Sequence, residues 1–451
     1  MASPRRPKLA ANKTAKPRAA PGRQRAARRP APGPKPAPHV PAATRKFGLA
    51  LAGGGPIGAM YEIGAVAALA EALEGIDFND LYVYVGVSSG AVVSTGLANG
   101  LSPAQMCRMF VENVAEGEVP FHPEILLQPA LREYVKRVTS VPPLVLASIW
   151  HYLTHPFSQN IFDSFQRLGR AVPTGIFNNA AINEFLTRLF TAQGRTNDFR
   201  ELKRKLYLVA TDLDTGTSVE FGSPGWDHVP ISTAVQASAA LPGLFPPVEI
   251  GGRYYVDGAL KKTLHASVAL RQGAELVLCV NPLVPFDYDL AARRGHPGKH
   301  RLVEGGLPLV LSQTFRAIIY SRMQVGMGKY ASEFKNADVV LFEPNRDDAD
   351  MFFTNVFSYR SRRRLAEHAY QKTRSELYRR RHELGPILAR HGIRIRLDVL
   401  KDTHRRLIGG AVPMPHPVRG AVLDAADRLD RCLDDLDRWL HRRSGAQRQA
   451  A

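Results

Sequence analysis

The stretch Leu81-Tyr82-Val83-Tyr84-Val85-Gly86-Val87-Ser88-Ser89-Gly90-Ala91-Val92-Val93 changes character at its middle. Residues 81–85 are bulky, mostly aromatic or β-branched, and predict a buried strand. From Ala91 to Ala98 the side chains are small and largely apolar, and predict a buried helix. Between them lies Gly86-x-Ser88-x-Gly90. A serine on so sharp a strand-to-helix turn needs small neighbours, because the backbone is strained there. Such a turn lifts the hydroxyl out of the sheet, and the first N–H groups of the helix point towards it. This is the pattern of a nucleophile elbow; a plain small-residue turn satisfies the same positions.

Towards the N-terminus, Phe47-Gly48-Leu49-Ala50-Leu51 predicts a second buried strand, followed by Gly53-Gly54-Gly55-Pro56-Ile57-Gly58. Tyr61, Ile63, Val66, Leu69, Ala70 and Leu73 then recur at helical spacing, and Gly75 reads as the C-terminal cap. Strand, glycine loop and helix make a cradle of backbone N–H groups. Gly53-x-Gly55-x-x-Gly58 matches the dinucleotide fingerprint, which wants an acid at the end of the next strand. That strand runs into Gly86-Val87-Ser88 instead, so the dinucleotide reading fails. The other reading is an oxyanion hole beside Ser88, with both loops at the carboxyl edge of one parallel sheet.

Downstream, Gly100 closes the helix and Ser102-Pro103-Ala104-Gln105 reads as a capping box. Residues 103 to about 200 read as a helical insertion or cap, including the runs Val141 to Trp150 and Asn183 to Phe190. Strands return at Leu206–Thr211 and Ser218–Phe221, with Asp212 and Asp214 as turn formers. Ser232 reads as the N-cap of a helix over Thr233–Ala239. Val248-Glu249-Ile250 and Arg253-Tyr254-Tyr255-Val256 flank Gly251-Gly252, a hairpin with a two-residue turn, ending in Asp257-Gly258-Ala259.

Three features thus occur in one order: Gly53-Gly54-Gly55-x-x-Gly58, Gly86-x-Ser88-x-Gly90 and Asp257-Gly258-Ala259. Before the last lies Ala237-Ser238-Ala239-Ala240-Leu241-Pro242-Gly243-Leu244-Phe245-Pro246-Pro247-Val248. Over residues 47–285 this resembles the patatin-like phospholipase family. The resemblance implies a three-layer α/β/α fold and lipid acyl hydrolysis by a Ser–Asp dyad. Carried over by motif, Ser88 is the nucleophile, Asp257 its general base, and Gly53, Gly54 and Gly55 the oxyanion loop. Ile57 stands where the family often has Lys or Arg, and Lys262, Thr263 and His265 lie where it usually has Asn and Pro. Independently of the family, acyl transfer needs an activated hydroxyl and donors for the oxyanion. An exposed carboxylate is a poor base for serine, and burial would raise its pKa towards neutrality. Asp257-Gly258 alone reads as an ordinary turn pair; beside Ser88 and the glycine loop it reads as the base. His228 and His265 are the nearest histidines, and no spacing fixes either near Ser88; His265 reads as a capping or surface residue.

The 451 residues carry a net charge of +19, unevenly placed. Residues 1–46 hold thirteen Lys and Arg and no acid, leaving about +6 for the rest. This Pro- and Ala-rich segment cannot bury enough surface to fold, and is expected to be a disordered tail. It lacks the apolar core of a secretory signal, and no apolar run is long enough to span a membrane. Its charge suits a solubilising role, nucleic acid or an anionic membrane. Residues 47–300 are expected to form the catalytic domain and 301–451 a mainly helical extension. In that extension Arg362-Arg363-Arg364 and Arg379-Arg380-Arg381, interleaved with Leu365, Ala369, Leu377 and Leu384, read as a solvated helix face or a lipid-facing one. Val422, Leu429, Leu433, Leu436 and Leu440 predict a last amphipathic helix. Cys107, Cys279 and Cys432 match no metal spacing, so reduced thiols and no metal or cofactor are expected. The expectation is a cytoplasmic lipid hydrolase able to bind membranes peripherally; the alternative is a basic adaptor, associated with nucleic acid or membrane, that uses the fold as a scaffold.

Overall fold

The chain is represented by a computed structural model that describes residues 45–114, 173–262, 264–294, 302–354 and 359–407, with short pieces between 121 and 134. The basic tail up to residue 44, most of the expected insertion, the run Val141 to Trp150, the helix from Val422 and Cys432 lie outside the described residues.

In chain order the elements are β1 (Phe47–Leu51), α1 (Gly55–Ala72), β2 (Leu73–Glu74), β3 (Val83–Gly86), α2 (Ser89–Ala98), α3 (Pro103–Met106), α4 (Ala180–Phe190), β4 (Lys205–Asp212) and β5 (Ser218–Phe221). There follow α5 (Ile231–Ser238), β6 (Val248–Ile250), β7 (Arg253–Asp257), α6 (Ala266–Arg271), β8 (Leu276–Val280), α7 (Tyr288–Arg293) and α8 (Gly306–Glu333). The last are β9 (Asp338–Phe342), α9 (Ala349–Phe353), α10 (Tyr359–Arg379), α11 (Arg381–Arg390), β10 (Arg394–Ile395) and α12 (Leu397–Lys401).

Strand β1 is buried along its whole length because it has parallel neighbours on both sides, β3 and β8. The sheet runs β6-β7-β4-β3-β1-β8-β9, with β5 also paired to β4. Its middle is parallel; β5, β6 and β7 form the antiparallel flank. Side chains alternate between two cores. Leu49, Leu51, Tyr84, Leu206, Leu208, Leu278 and Val280 meet Ile63, Val66, Val93, Ala234 and Val235 from α1, α2 and α5. Ala50, Val83, Val85, Val209, Val277 and Cys279 meet Val268, Ala269, Met323 and Tyr330 from α6 and α8 on the other face. The fold is therefore the three-layer α/β/α arrangement that the resemblance implied, with an added helical C-terminal part. Cys279 is plain core, and burial pushes its thiol well up.

Beyond residue 300, β9 extends the sheet beside β8, and α10 packs on α1 so closely that a Cβ on Gly64 would strike the Ala366 carbonyl. The arginine-rich helix is not simply solvated. Arg362 and Arg374 are almost wholly buried, Arg362 donating to the Phe110 carbonyl and Arg374 to the carbonyls of Val399 and Asp402. These cations cap backbone acceptors inside the fold, while Arg364 on the same helix stays 62% exposed.

Several local readings hold. Ser102 and Gln105 form the capping box, Asp212 Oδ1 accepts from the N–H of Asp214 and Thr215, and Gly251 and Gly252 take φ of 60° and 78° in the hairpin turn. Two do not. Helix α1 ends at Ala72, ahead of Gly75, because Leu73–Glu74 pairs with β10 from far along the chain. Helix α5 starts at Ile231, so Ser232 lies inside its first turn; its hydroxyl accepts from Thr187 and Asn197 instead of capping.

Candidate active site

Residue register brings the elbow and the Asp-Gly turn together. Gly86 pairs with Leu208 on β4, so Ser88, two residues further, arrives level with Ala210. Ala210 is paired with Asp257, the last residue of β7. Strand β1 runs beside β3 and sends its glycine loop to the same edge: a Cβ on Gly53 would lie 3.1 Å from the Ser88 Cβ and 3.0 Å from the Ala259 Cβ. The three motifs are thus one site.

Ser88 takes φ 53° and ψ −118°, a conformation that L-residues rarely adopt. The glycines around it are required by contact. A Cβ on Gly86 would collide with the Ser94 hydroxyl and with the backbone of Gly90 and Ala91. One on Gly90 would lie 2.5 Å from the Leu51 carbonyl oxygen, where α2 crosses the end of β1. On Gly258 it would meet the Val209 carbonyl, and on Gly58 it would come within 2.8 Å of the Ser89 hydroxyl. A Cβ on Gly54 would lie 2.7 Å from the Gly58 Cα and 2.6 Å from the Pro282 Cγ, so its missing side chain serves loop packing. Gly55, at φ 60°, has open space at its Cβ position. Both α1 and α2 start here, and first-turn N–H groups lack the regular i−4 acceptor, although those of Gly90 and Ala91 bond the Val87 and Ser88 carbonyls. The site edge therefore carries partial positive charge from two helix N-termini.

Asp257 is 3% exposed. Burial raises its carboxyl to about 6, against the hydrogen bond from the Ala259 N–H (2.8 Å) and the influence of the neighbouring Ser88 hydroxyl, which pull it down. A carboxylate so placed ionises near neutral pH beside a hydroxyl, the arrangement that proton transfer between them needs. His265 is corrected from a surface or capping residue to a buried one, 5% exposed. Burial and then the nearby Lys262 push its imidazole down to about 3, so it stays neutral, hydrogen-bonded to the backbone of Gly258 and Lys262. It buttresses the turn that carries Asp257. Among the described residues no cluster could hold a metal.

Two residues of the site escaped the sequence reading. Ser238, fully buried at the end of α5, accepts from the Ser88 N–H at 2.9 Å and donates to the Val209 carbonyl at 2.6 Å. It ties the elbow to β4. Glu62, also fully buried, stands on α1 one turn beyond Gly58, beside the Ser89 hydroxyl; burial raises its carboxyl well above the ordinary range and the neighbouring hydroxyl offsets part of that. Nothing local marks either residue: one is a serine in an Ala-rich helix, the other an acid in an amphipathic pattern.

The patatin-like phospholipase family matches residues 49–270. Uncharacterized NTE family proteins of Mycobacterium tuberculosis and Mycobacterium bovis are 28% identical over 243 residues, covering 53% of this chain and 30% of theirs. The chain thus spans under a third of the length of those relatives. Among solved structures, VipD from Legionella pneumophila aligns at 15% identity and a TM-score of 0.33, over 73% of this chain and 66% of VipD. The type III effector ExoU of Pseudomonas aeruginosa aligns at 15% identity and a TM-score of 0.32, over 74% of this chain and 53% of ExoU. It is the sequence match, lying across the glycine loop, the elbow and the Asp-Gly turn, that places residues 49–270 of this chain in the patatin-like phospholipase family.

Proposed function

We propose that this protein hydrolyses acyl esters of lipids, phospholipids or acylglycerols, through a Ser88–Asp257 dyad. The observation that carries the proposal is the pair itself: a serine on a left-handed elbow, its hydroxyl against a buried carboxyl that ionises near pH 6. Ser88 attacks the ester carbonyl while Asp257 takes the hydroxyl proton. The negative charge that develops on the carbonyl oxygen faces the N–H groups of the Gly53–Gly55 loop and of the first turn of α2. Asp257 returns the proton to the departing alcohol, leaving an acyl ester on Ser88. Water, deprotonated by Asp257, attacks this ester; the fatty acid leaves and Asp257 returns the proton to the Ser88 oxygen. Asp257 does every proton transfer, and His265, neutral and tied to backbone, does none. The basic segment 1–46 adds attraction for anionic surfaces.

A fluorophosphonate probe tests the chemistry. Labelling of the wild type and loss of labelling in folded Ser88→Ala are expected, followed by fatty-acid release from a lipid panel. A wild type that neither labels nor hydrolyses any lipid, yet binds DNA tightly, would replace this reading with the basic adaptor.

A further inference from the structure

Helix α8 has two unlike faces. Arg316, Ile319, Met323 and Tyr330 are buried. The opposite face bears Leu307, Val310, Leu311, Phe315, Ile318 and Val325, exposed by 69, 40, 43, 44, 52 and 62%. At 100° per residue these six fall within an arc of about 140°, and from Leu307 to Val325 they run about 27 Å along the axis. From Gly306 to Ser332 the helix contains no Asp or Glu, and exposed Arg322 and Lys329 continue the same arc. Single exposed apolar residues mean little, but a contiguous stripe of six with cations and no acid is the chemistry of an interfacial helix.

The helix is also joined to the candidate site. The Gln313 amide bonds the backbone of Phe286 and the Arg316 guanidinium the Val284 carbonyl, both in the segment following Pro282, the residue that packs on Gly54 and Gly58. Near its other end Lys262, just past the Asp257 turn, lies 3.6 Å from the Cβ position of Gly326 and over the Tyr330 ring. We propose that the outer face of α8 docks onto an anionic lipid surface, burying its apolar stripe among acyl chains with Arg322 and Lys329 at headgroup level. The proposal deepens the lipid-hydrolase reading by giving that site its partner surface. A protein partner of equal size would need acids to meet Arg322 and Lys329; an anionic bilayer supplies both the apolar interior and the negative charge.

The test uses the full chain and needs no turnover. Leu311→Asp/Phe315→Asp/Ile318→Asp and the uncharged Leu311→Ser/Phe315→Ser/Ile318→Ser are compared with Ala331→Asp, exposed on the same helix but off the arc. Sedimentation with phosphatidylcholine vesicles, where the charge of the basic tail gives no advantage, should show both triple variants at least about tenfold weaker than wild type, and Ala331→Asp unchanged. Arg322→Gln/Lys329→Gln should lose binding only to vesicles containing phosphatidylserine, by roughly fivefold per charge. Hydrolysis of a small soluble ester should persist in all variants; its absence from the wild type would defeat the dyad reading and leave the docking result intact. Equal vesicle binding by wild type and triple variants overturns the proposal. So does a large fall in Tm of the serine variant, which would mean that another segment of this chain covers the stripe, or a wild-type dimer that the triple variants convert to monomer.

Discussion

Replacing Asp257 by Asn should remove hydrolysis and, at the same time, relieve a pH-dependent loss of stability. Burial raises this carboxyl from 3.8 to about 6. Two units of pKa correspond to about 3 kcal/mol. The sign follows from linkage: the folded state holds the proton more tightly than the unfolded chain, so ionisation favours unfolding. The penalty is absent below about pH 3.8, grows between there and pH 6, and is complete above. Asn carries no charge, and its carbonyl can still accept from the Ala259 N–H. Its NH2 group brings new donors into a buried place, which costs part of the gain, so the readout is the change in the stability difference with pH. Urea unfolding of both proteins at pH 4 and pH 8 should show the difference, variant minus wild type, shifting by about 2.4 kcal/mol in favour of Asn, since part of the penalty is already present at pH 4. In parallel, wild-type kcat/KM should rise about tenfold per unit below pH 6 and level off above it. A stability difference that does not move with pH refutes the burial argument. An acid limb near pH 4 refutes Asp257 as a base shaped by its surroundings.

Gly53→Ala inserts a Cβ between Ser88 and Ala259 and should lower kcat by about 10- to 10²-fold with fold retained; unchanged kcat would mean the loop need not approach Ser88 so closely. Ser238→Ala strands the Ser88 N–H and the Val209 carbonyl, so calorimetry should register a loss of about 1–3 kcal/mol per group, with kcat falling and KM steady. Glu62→Gln should keep a polar group beside Ser89 and most of kcat. Glu62→Leu should cut kcat further while leaving Tm equal or higher, since it removes a buried polar group; equal kcat in the two would deny Glu62 any part in holding the elbow. Deleting residues 1–46 should weaken binding to phosphatidylserine vesicles at low salt much more than at high salt, over a screening length of about 8 Å at physiological strength; equal binding with and without the tail at low salt would reject its electrostatic role.

What the sequence made legible was local or periodic. The apolar runs of β1, β3 and β4, the glycines of the elbow and the Gly251-Gly252 turn each carry their reason within a few residues. Asp257 was found the same way, as a turn pair whose company gave it meaning. What stayed hidden depends on partners far along the chain. Ser238 reaches Ser88 across 150 positions, and nothing in an Ala-rich helix announces that. Gly75 had the composition of a helix cap, but β10 competes for the preceding residues. His265 looked like a helix-start residue because sequence gives position on a helix and not depth. Arg362 and Arg374 sit in runs that composition assigns to solvent, while the Phe110 and Val399 carbonyls accept from them inside the fold.

The place of β8 and α10 bears on how this protein can be cut. The part recognisable as a family ends at residue 270, yet β8 begins at Leu276 and forms one whole side of β1. Helix α10 comes later still and closes the back of α1, the helix that the glycine loop opens. A fragment ended at the family boundary would leave β1 with bare hydrogen-bonding groups along one edge and α1 with its outer face stripped, and should precipitate when expressed. The stretch that the family match covers is smaller than the unit that can fold, and the difference is made up by residues beyond that match.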